Sequence, residues 1–115
     1  MKSLKFKHDF VNEILEGRKT TTWRLFDDKN LQVGDELELI DAENGNNFGK
    51  AKITDVTEKT IKKLTLDELK KHEYESIEKM TESHKKYYGD KVNLDTVVKI
   101  IKFQLLCGNK GVRYL

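Results

Sequence analysis

Hydrophobic and polar residues alternate along several stretches of this chain, and a period of two predicts β-strands with one buried face. The first such stretch covers residues 4–6 near the amino terminus. Another covers 36–40, and the turn sequence Asn44-Gly45 joins it as a hairpin to a returning strand over about 48–57. The stretch from about 96 to 107 has apolar residues on both faces, which indicates a central strand.

Apolar residues recur at helical spacing elsewhere in the chain. Asp9 is a candidate N-cap for a first helix, and Gly17 is placed to end that helix in a left-handed conformation. Thr65 opens a short second helix with a capping-box sequence, since a glutamate follows three residues later. Ser76 caps a further helix that ends at Gly89.

These elements predict an α+β fold, in which two or three helices flank a small mixed, mainly antiparallel β-barrel. Gly45 and Gly49 mark a bulge that would bend the sheet toward a barrel. With 115 residues, the chain is long enough for one hydrophobic core and too short for two domains. We therefore expect a single domain over residues 1–107, followed by a loosely held tail at 108–115.

Composition limits the classes of function. The chain has 22 basic and 20 acidic residues and a net charge of +2, so its total charge does not indicate a nucleic-acid binder. The single cysteine, Cys107, excludes an intrachain disulfide and a thiolate-rich metal site. No run approaches the roughly 18 apolar residues that would cross a bilayer. We expect a soluble protein of the reducing cytoplasm with no membrane partner.

The segment 17–24 concentrates the candidate chemistry, because it carries cations and three hydroxyl groups between a predicted helix and a predicted strand. In an extended strand, Thr20, Thr22 and Arg24 share one face, and Trp23 belongs to the opposite face. The pattern predicts that Trp23 packs in the core while the other three face a ligand. An amphipathic strand that follows a basic loop is the plain alternative.

A larger set of residues resembles an ASCH domain, a β-barrel fold related to the PUA domains of RNA-modification proteins. The resemblance covers residues 2 to about 106. It depends on Phe10, Ile14-Leu15, Gly17-Arg18-Lys19-Thr20, Thr22, Arg24, Val33-Gly34-Asp35 and Ile101-Lys102-Phe103.

Threonine at position 22, after Gly-Arg-Lys-Thr, is similar to a small bacterial subfamily of amidohydrolases that remove the acetyl group of 4-N-acetylcytidine. That subfamily has a proposed catalytic trio of lysine, threonine and glutamate. The resemblance assigns the first two to Lys19 and Thr22. It assigns the glutamate to Glu73 when a one-residue gap is allowed, with Glu75 as the alternative.

These residue types could hydrolyse an amide without a metal or another cofactor. Thr22 would be the nucleophile and Lys19 its base, as in Ser-Lys variants of the hydrolytic triad, and Glu73 would protonate the leaving amine. Arg24 would bind the base carbonyl or the oxyanion, and Arg18 and Thr20 complete the candidate substrate-binding set. Lys19 is out of phase with the strand, so we expect it to lie in the preceding loop.

The sequence leaves three functions open. The first is a metal-free amidohydrolase of an acylated cytosine nucleoside such as 4-N-acetylcytidine. The second is an RNA-binding module that uses the same cleft without reaction, and the third is a ribonuclease. The expected partners are accordingly a modified nucleoside or RNA, with no DNA. The three histidines lack the spacing of metal ligands, and His84 is expected to pack on a helix face.

Overall fold

The structure is a computed structural model that describes residues 2–27, 29–72 and 74–108. Within these residues the strands are β1 (Lys2–Phe6), β2 (Thr21–Leu25), β3 (Glu36–Asp41), β4 (Asn47–Thr60) and β5 (Val97–Gly108). The helices are α1 (His8–Leu15), α2 (Leu66–Lys71) and α3 (Ile77–Tyr88), with short 3-10 turns at Ile61–Lys63 and Gly89–Lys91.

The strands form one sheet in the order β1-β3-β4-β5-β2. β1 runs parallel to β3, and the other neighbouring pairs are antiparallel. The long strands β4 and β5 pair along most of their length, with register shifts at Lys50/Ala51 and Ile53/Asp55 that bend the sheet. The sheet curls into a half-barrel, and this confirms the predicted α+β fold with a mixed, mainly antiparallel sheet and flanking helices.

Side chains link the two edge strands of this half-barrel. Arg24 of β2 donates to the carbonyl oxygen of Lys5 in β1 at 2.8 Å. In the loop after β2, Lys29 donates to the carbonyl of Ser3, and Lys2 donates to the carbonyl of Asn30 at 2.6 Å. We call this line of contact between β1 and β2 the seam.

The sheet has a hydrophobic core on each face. Ile101 and Phe103 of β5 belong to a core that α1 covers, together with residues of β1, β3 and β4. Val98 of β5 belongs to a second core, which includes Trp23 and residues of α2 and α3. β5 is therefore a central strand with two buried faces, as its sequence predicts.

The predicted helix ends are confirmed where a side chain or a glycine determines them. Thr65 forms a capping box with Glu68, and the Ser76 hydroxyl accepts from the backbone N–H of Lys79. Gly17 and Gly89 both have φ of 80°.

Two predicted boundaries differ from the structure. α1 begins at His8 with Lys7 as its N-cap, so the prediction of Asp9 as the cap is wrong. β1 leads directly into the helix, and this places Asp9 in the first turn, where its charge favours the helix dipole. β5 continues to Gly108, which pairs with Gly49 one residue beyond the predicted domain end. Residues 109–115 of the predicted tail lie outside the described residues.

Candidate functional site

β2 is an edge strand with two mostly buried faces. Trp23 and Leu25 are 9% and 2% exposed and pack in the second core, which confirms the predicted packing of Trp23. Thr22 is 6% exposed and lies opposite Ile101 of β5. The predicted nucleophile is thus held in a rigid, paired strand and is nearly covered.

Arg24 spans the seam. Its guanidinium lies 4.9 Å from the Phe6 ring centroid, while its Nη2 binds the Lys5 carbonyl. Burial lowers the pKa of Arg24 below its ordinary value, and the nearby Tyr88 and Tyr87 partly oppose this shift. The Nη2 atom of Arg24 therefore joins β2 to β1, and its guanidinium packs on the Phe6 ring of β1.

Two consecutive residues of β2 leave a buried donor without a partner in the described part of the chain. These donors are Trp23 Nε1 and Arg24 Nε. Buried N–H groups are paired in the great majority of cases, so an unpaired donor needs an explanation, such as a ligand acceptor. The two donors lie on opposite faces of β2, and each is a separate place where a ligand oxygen or nitrogen would gain a hydrogen bond.

Lys19 lies in the loop before β2, as expected from its phase. Its Nζ donates to the carbonyl of Thr21 at 3.0 Å and lies 4.6 Å from the Phe10 ring centroid. The charge of Lys19 also acts on His72: after burial, it is the second cause that lowers the pKa of His72 to about 4. The loop cation therefore approaches the segment that precedes α3.

That segment contains the candidate glutamates. Glu73 lies outside the described residues, and Glu75 is exposed. The residues on either side of position 73 both stack on β2: the His72 and Tyr74 rings lie 4.1 and 5.9 Å from the Trp23 ring. Lys19 and the segment before α3 are thus brought to the same strand from 50 or more residues apart.

The structure separates the remaining predicted site residues. Arg18 is exposed and forms ion pairs with Glu16 at 2.7 Å and with Glu13 at 3.7 Å. Thr20 is exposed, and its carbonyl oxygen accepts from the backbone N–H of Phe103. Arg18 is therefore engaged with acidic side chains of its own helix end.

Two grooves flank the strand. A groove of about 510 Å³ is lined by residues that include Arg24, Phe26, Asp27, Lys91, Asn93 and Lys99. A second groove of about 380 Å³ is lined by residues that include Lys19, Thr20, Lys102 and Gln104. Arg24 thus belongs to one groove and Lys19 and Thr20 to the other, with Thr22 between them in sequence. We call them the Arg24 groove and the Lys19 groove.

A continuous row of aromatic rings, which the sequence did not predict, connects these parts. It consists of His72, Trp23, Tyr74, His84, Tyr88 and Phe26, and successive ring centroids lie 4.1 to 6.2 Å apart. We call it the aromatic row. The sequence alone indicated only the helical spacing of His84 and Tyr88, because most other ring contacts join segments that are far apart in the chain.

Cations lie along the aromatic row, and its two imidazoles are neutral at pH 7. Lys91 Nζ lies 4.3 Å from the Phe26 ring centroid, and the charge of Lys7 acts on His84. Burial is the main cause that lowers the pKa of His84, whose Nδ1–H donates to the Met80 carbonyl at 2.9 Å; this confirms that His84 is packed and hydrogen-bonded. Flat, uncharged rings with cations beside them suit a ligand that combines an aromatic base with negative charge.

Comparison with known proteins identifies the fold. No family model matches the chain, and no curated protein is significantly similar in sequence. A protein from Enterococcus faecalis V583 described by the DUF984 family model has a TM-score of 0.66 at 14% identity, over 93% of this chain and 76% of its own. The ASCH domain from Lactobacillus crispatus JV V101 has a TM-score of 0.59 at 16% identity, over 83% and 69%. ASCH from Zymomonas mobilis has a TM-score of 0.61 at 11% identity, over 89% and 65%.

The chain has the ASCH-domain fold. The fold implied by the resemblance in the sequence is confirmed. Sequence identities of 11% to 16% support a shared fold and do not support a shared activity. The further resemblance to the acetylcytidine amidohydrolases stays a prediction. Among the described residues of this ASCH fold, no helix is long and apolar enough to cross a membrane.

One further polar cluster lies away from β2 in this ASCH fold. His8 Nδ1 lies 2.7 Å from Asp41 Oδ2 and 3.2 Å from Glu43 Oε2. In the described part of the chain, these three residues could offer donor atoms to a metal ion within 4.8 Å of one another. The hydrogen bond with Asp41 is the main cause that raises the pKa of His8, and it favours an ion pair between α1 and the end of β3.

Proposed function

We propose that this protein is a metal-free amidohydrolase that removes the acyl group of 4-N-acetylcytidine or a related acylated cytosine nucleoside. The observation that carries the proposal is the position of Lys19. Its amine is held at the Thr21 carbonyl, one residue from Thr22, and near His72 in the segment of the candidate glutamates. A base, a hydroxyl and an acidic segment therefore approach one strand edge.

The proposed reaction begins with attack of Thr22 Oγ1 on the acyl carbon, while the Lys19 amine, after it has lost its own proton, accepts the hydroxyl proton. The tetrahedral intermediate collapses with cleavage of the C–N bond, and the carboxyl group of Glu73 or Glu75 gives a proton to the exocyclic nitrogen of cytosine. Water then hydrolyses the threonine ester and releases the carboxylic acid. The net reaction consumes one water per amide.

The unpaired donor on the Thr22 face of β2 gives the base a binding partner in this proposal. Cytosine has a ring carbonyl that accepts hydrogen bonds, and Arg24 Nε is a buried donor without a partner in the described residues. Thr22 is nearly covered, so the side chains around it must move before a substrate reaches the hydroxyl.

Release of cytidine from 4-N-acetylcytidine, followed by chromatography, tests this proposal. Thr22→Ala should lower kcat/KM by at least about a thousandfold, and Lys19→Arg should do the same because arginine cannot serve as the base. Thr57→Ala and Lys52→Arg are the matched controls, since both residues lie on β4 outside the two grooves. No turnover by the wild type, or full turnover by Thr22→Ala, would contradict the assignment.

A specific observation favours RNA binding without reaction as the second candidate. The aromatic row combines base-stacking surfaces with the phosphate-binding charges of Lys7, Lys19 and Lys91, which act on His84, His72 and Phe26. Under this alternative, RNA affinity falls with salt, and Lys19→Gln reduces the slope by about 1. RNA affinity in a protein that does not turn over 4-N-acetylcytidine would select this function.

A further inference from the structure

His8, Asp41 and Glu43 bring an imidazole and two carboxylates together from two separate parts of the fold. His8 opens α1, Asp41 ends β3, and Glu43 lies in the turn that leads to β4. The Nδ1 atom of His8 lies 2.7 Å from Asp41 Oδ2 and 3.2 Å from Glu43 Oε2. We call these three residues the His8 cluster. They line neither groove, and the proposed reaction uses none of them.

The pairing of β1 with β3 places the members of the His8 cluster. In the parallel register Phe6 lies opposite Asp41, and the N–H of Ala42 donates to the Phe6 carbonyl at 2.9 Å. His8 follows Phe6 by two residues, at the first position of α1. The backbone N–H of Asp41 also donates to the carbonyl of Asn46 at 2.8 Å. Strand register and turn geometry therefore hold two of the donor groups side by side.

Asp41 distinguishes the His8 cluster from a group of surface acids. Its side chain is 0% exposed, and fully buried carboxylates are paired with a cation or coordinate a metal. Its Oδ1 atom accepts from the backbone N–H of Glu43 at 2.9 Å, while Oδ2 contacts His8. A hydrogen bond of this kind orients a carboxylate as outer-shell partners do in metal sites.

The donor types and their spacing favour Zn²⁺. Zinc takes imidazole nitrogen and carboxylate oxygen at about 2.0–2.2 Å, so the ligand atoms of a tetrahedral site lie roughly 3.3–3.6 Å apart. In the described part of the chain, the three residues offer donor atoms within 4.8 Å of one another. Side-chain movement of about 1 Å, chiefly by the exposed Glu43, would seat the ion. Mg²⁺ and Ca²⁺ prefer oxygen ligands, so the imidazole selects against them.

We propose that the His8 cluster binds one Zn²⁺ ion, which joins the start of α1 to the hairpin of β3 and β4. The ligands are Nδ1 of His8 and one oxygen each of Asp41 and Glu43, with water in the fourth position. Two carboxylates and a neutral imidazole balance the charge of the ion. Because α1 covers the first core, the ion stabilises the fold. The inference does not depend on the proposed function.

Isothermal titration calorimetry with ZnCl₂ tests this site in protein without a histidine tag, from which metal has been removed with EDTA. Every sample carries Cys107→Ser, because an exposed thiol binds zinc by itself. One ion should bind per chain, and zinc at a hundredfold excess over its Kd should raise Tm by roughly 5–10 °C. Mg²⁺ at the same concentration should leave Tm unchanged. An equal rise with Mg²⁺ would show that the imidazole is not a ligand and would overturn the inference.

Substitutions locate the ion. His8→Gln and Glu43→Gln should each weaken zinc binding at least about tenfold and remove the zinc-dependent rise in Tm. Glu43 is exposed, so Glu43→Gln should fold whatever the effect of His8→Gln. Glu36→Gln, at an exposed carboxylate of β3 outside the His8 cluster, and His84→Gln are the matched controls and should bind zinc as the wild type does. Absence of zinc binding, or the same affinity in His8→Gln and Glu43→Gln as in the wild type, would refute the site.

Discussion

Arg24 joins the two edges of the sheet by donating from Nη2 to the Lys5 carbonyl at 2.8 Å. In the described residues β1 and β2 are the two edges of the sheet, and no backbone hydrogen-bond ladder pairs them. The Arg24 side chain makes the contact between these edges instead. The same guanidinium lines the Arg24 groove and carries an unpaired buried Nε. One side chain therefore completes the fold and belongs to the candidate site.

This double role predicts that Arg24 contributes to stability. Arg24→Ala should lower the free energy of unfolding by about 1–3 kcal/mol, because it removes the hydrogen bond and the packing on Phe6. Arg24→Lys should restore only part of that loss, since lysine lacks the planar fork. Urea denaturation measures both.

Arg18→Ala is the matched control, because Arg18 is exposed and its ion pairs are on the surface. Its loss should be under about 0.5 kcal/mol. Equal losses for Arg18→Ala and Arg24→Ala would show that the seam contact does not stabilise the fold.

Local sequence signals predicted the parts of the fold that local interactions determine. The capping box of Thr65 and the left-handed Gly17 are contacts within a few residues, and the structure contains them. The placement of Asp9 failed because the end of β1 determines where α1 begins. Strand order could not be read, since the parallel pairing of β1 with β3 and the insertion of β5 beside β2 join segments far apart in sequence.

The same distinction applies to the candidate site. The alternation along β2 correctly placed Trp23 and Arg24 on opposite faces of the strand, because strand periodicity is a local property. It could not show that Arg24 reaches Lys5, or that Lys19 approaches His72. The contact of Phe26 with Tyr88 was missed because the positive φ of Phe26 lies outside any periodic element.

The Asp27–Lys99 ion pair should make stability depend on pH in the acid range. Burial alone would raise the pKa of Asp27, but hydrogen bonds from Lys99 and from the backbone of Leu31 and Lys29 outweigh it and lower the pKa. A lowered carboxyl pKa contributes stability above the unfolded value of about 3.9, and this contribution is lost as the pH falls through the folded value.

Asp27→Asn should therefore be less stable than the wild type at pH 7, and the difference in melting temperature should shrink as the pH falls from 4 to 2. Asp95→Asn is the control, since the exposed pair between Asp95 and Lys62 should contribute little at any pH. A difference for Asp27→Asn that stays constant over this range would contradict the role of the carboxylate charge.

Gly49 should tolerate no side chain. A Cβ atom there would lie 2.6 Å from the carbonyl oxygen of Cys107, a backbone atom of β5 that cannot turn away. Gly49→Ala should cost about 1–3 kcal/mol of stability through overpacking.

Gly34→Ala is the control. A Cβ atom at Gly34 would meet nothing within 4 Å, so this change should cost only about 1 kcal/mol, from the φ of 94°. Urea denaturation of both variants would reveal the difference, and an equally mild effect at Gly49 would show that β4 and β5 separate easily there.

His72 and Trp23 provide a direct test of the contact that brings the segment before α3 onto β2. Burial first, and then the charge of Lys19, lower the pKa of His72 to about 4. Because the unfolded imidazole takes up its proton at higher pH than the folded one, stability should fall as the pH drops from about 6.5 to about 4. His72→Gln should remove that part of the pH dependence.

The only tryptophan of the chain reports the same titration, since the rings of His72 and Trp23 lie 4.1 Å apart. An imidazolium beside an indole quenches its fluorescence, so the emission of Trp23 should fall with a midpoint near pH 4 while circular dichroism shows that the protein is folded. His8→Gln should leave this midpoint in place, because His8 pairs with Asp41 away from β2 and is not among the causes that lower the pKa of His72. A midpoint near 6.5 would show that His72 is solvated, and the approach of Lys19 to this segment would lose its support.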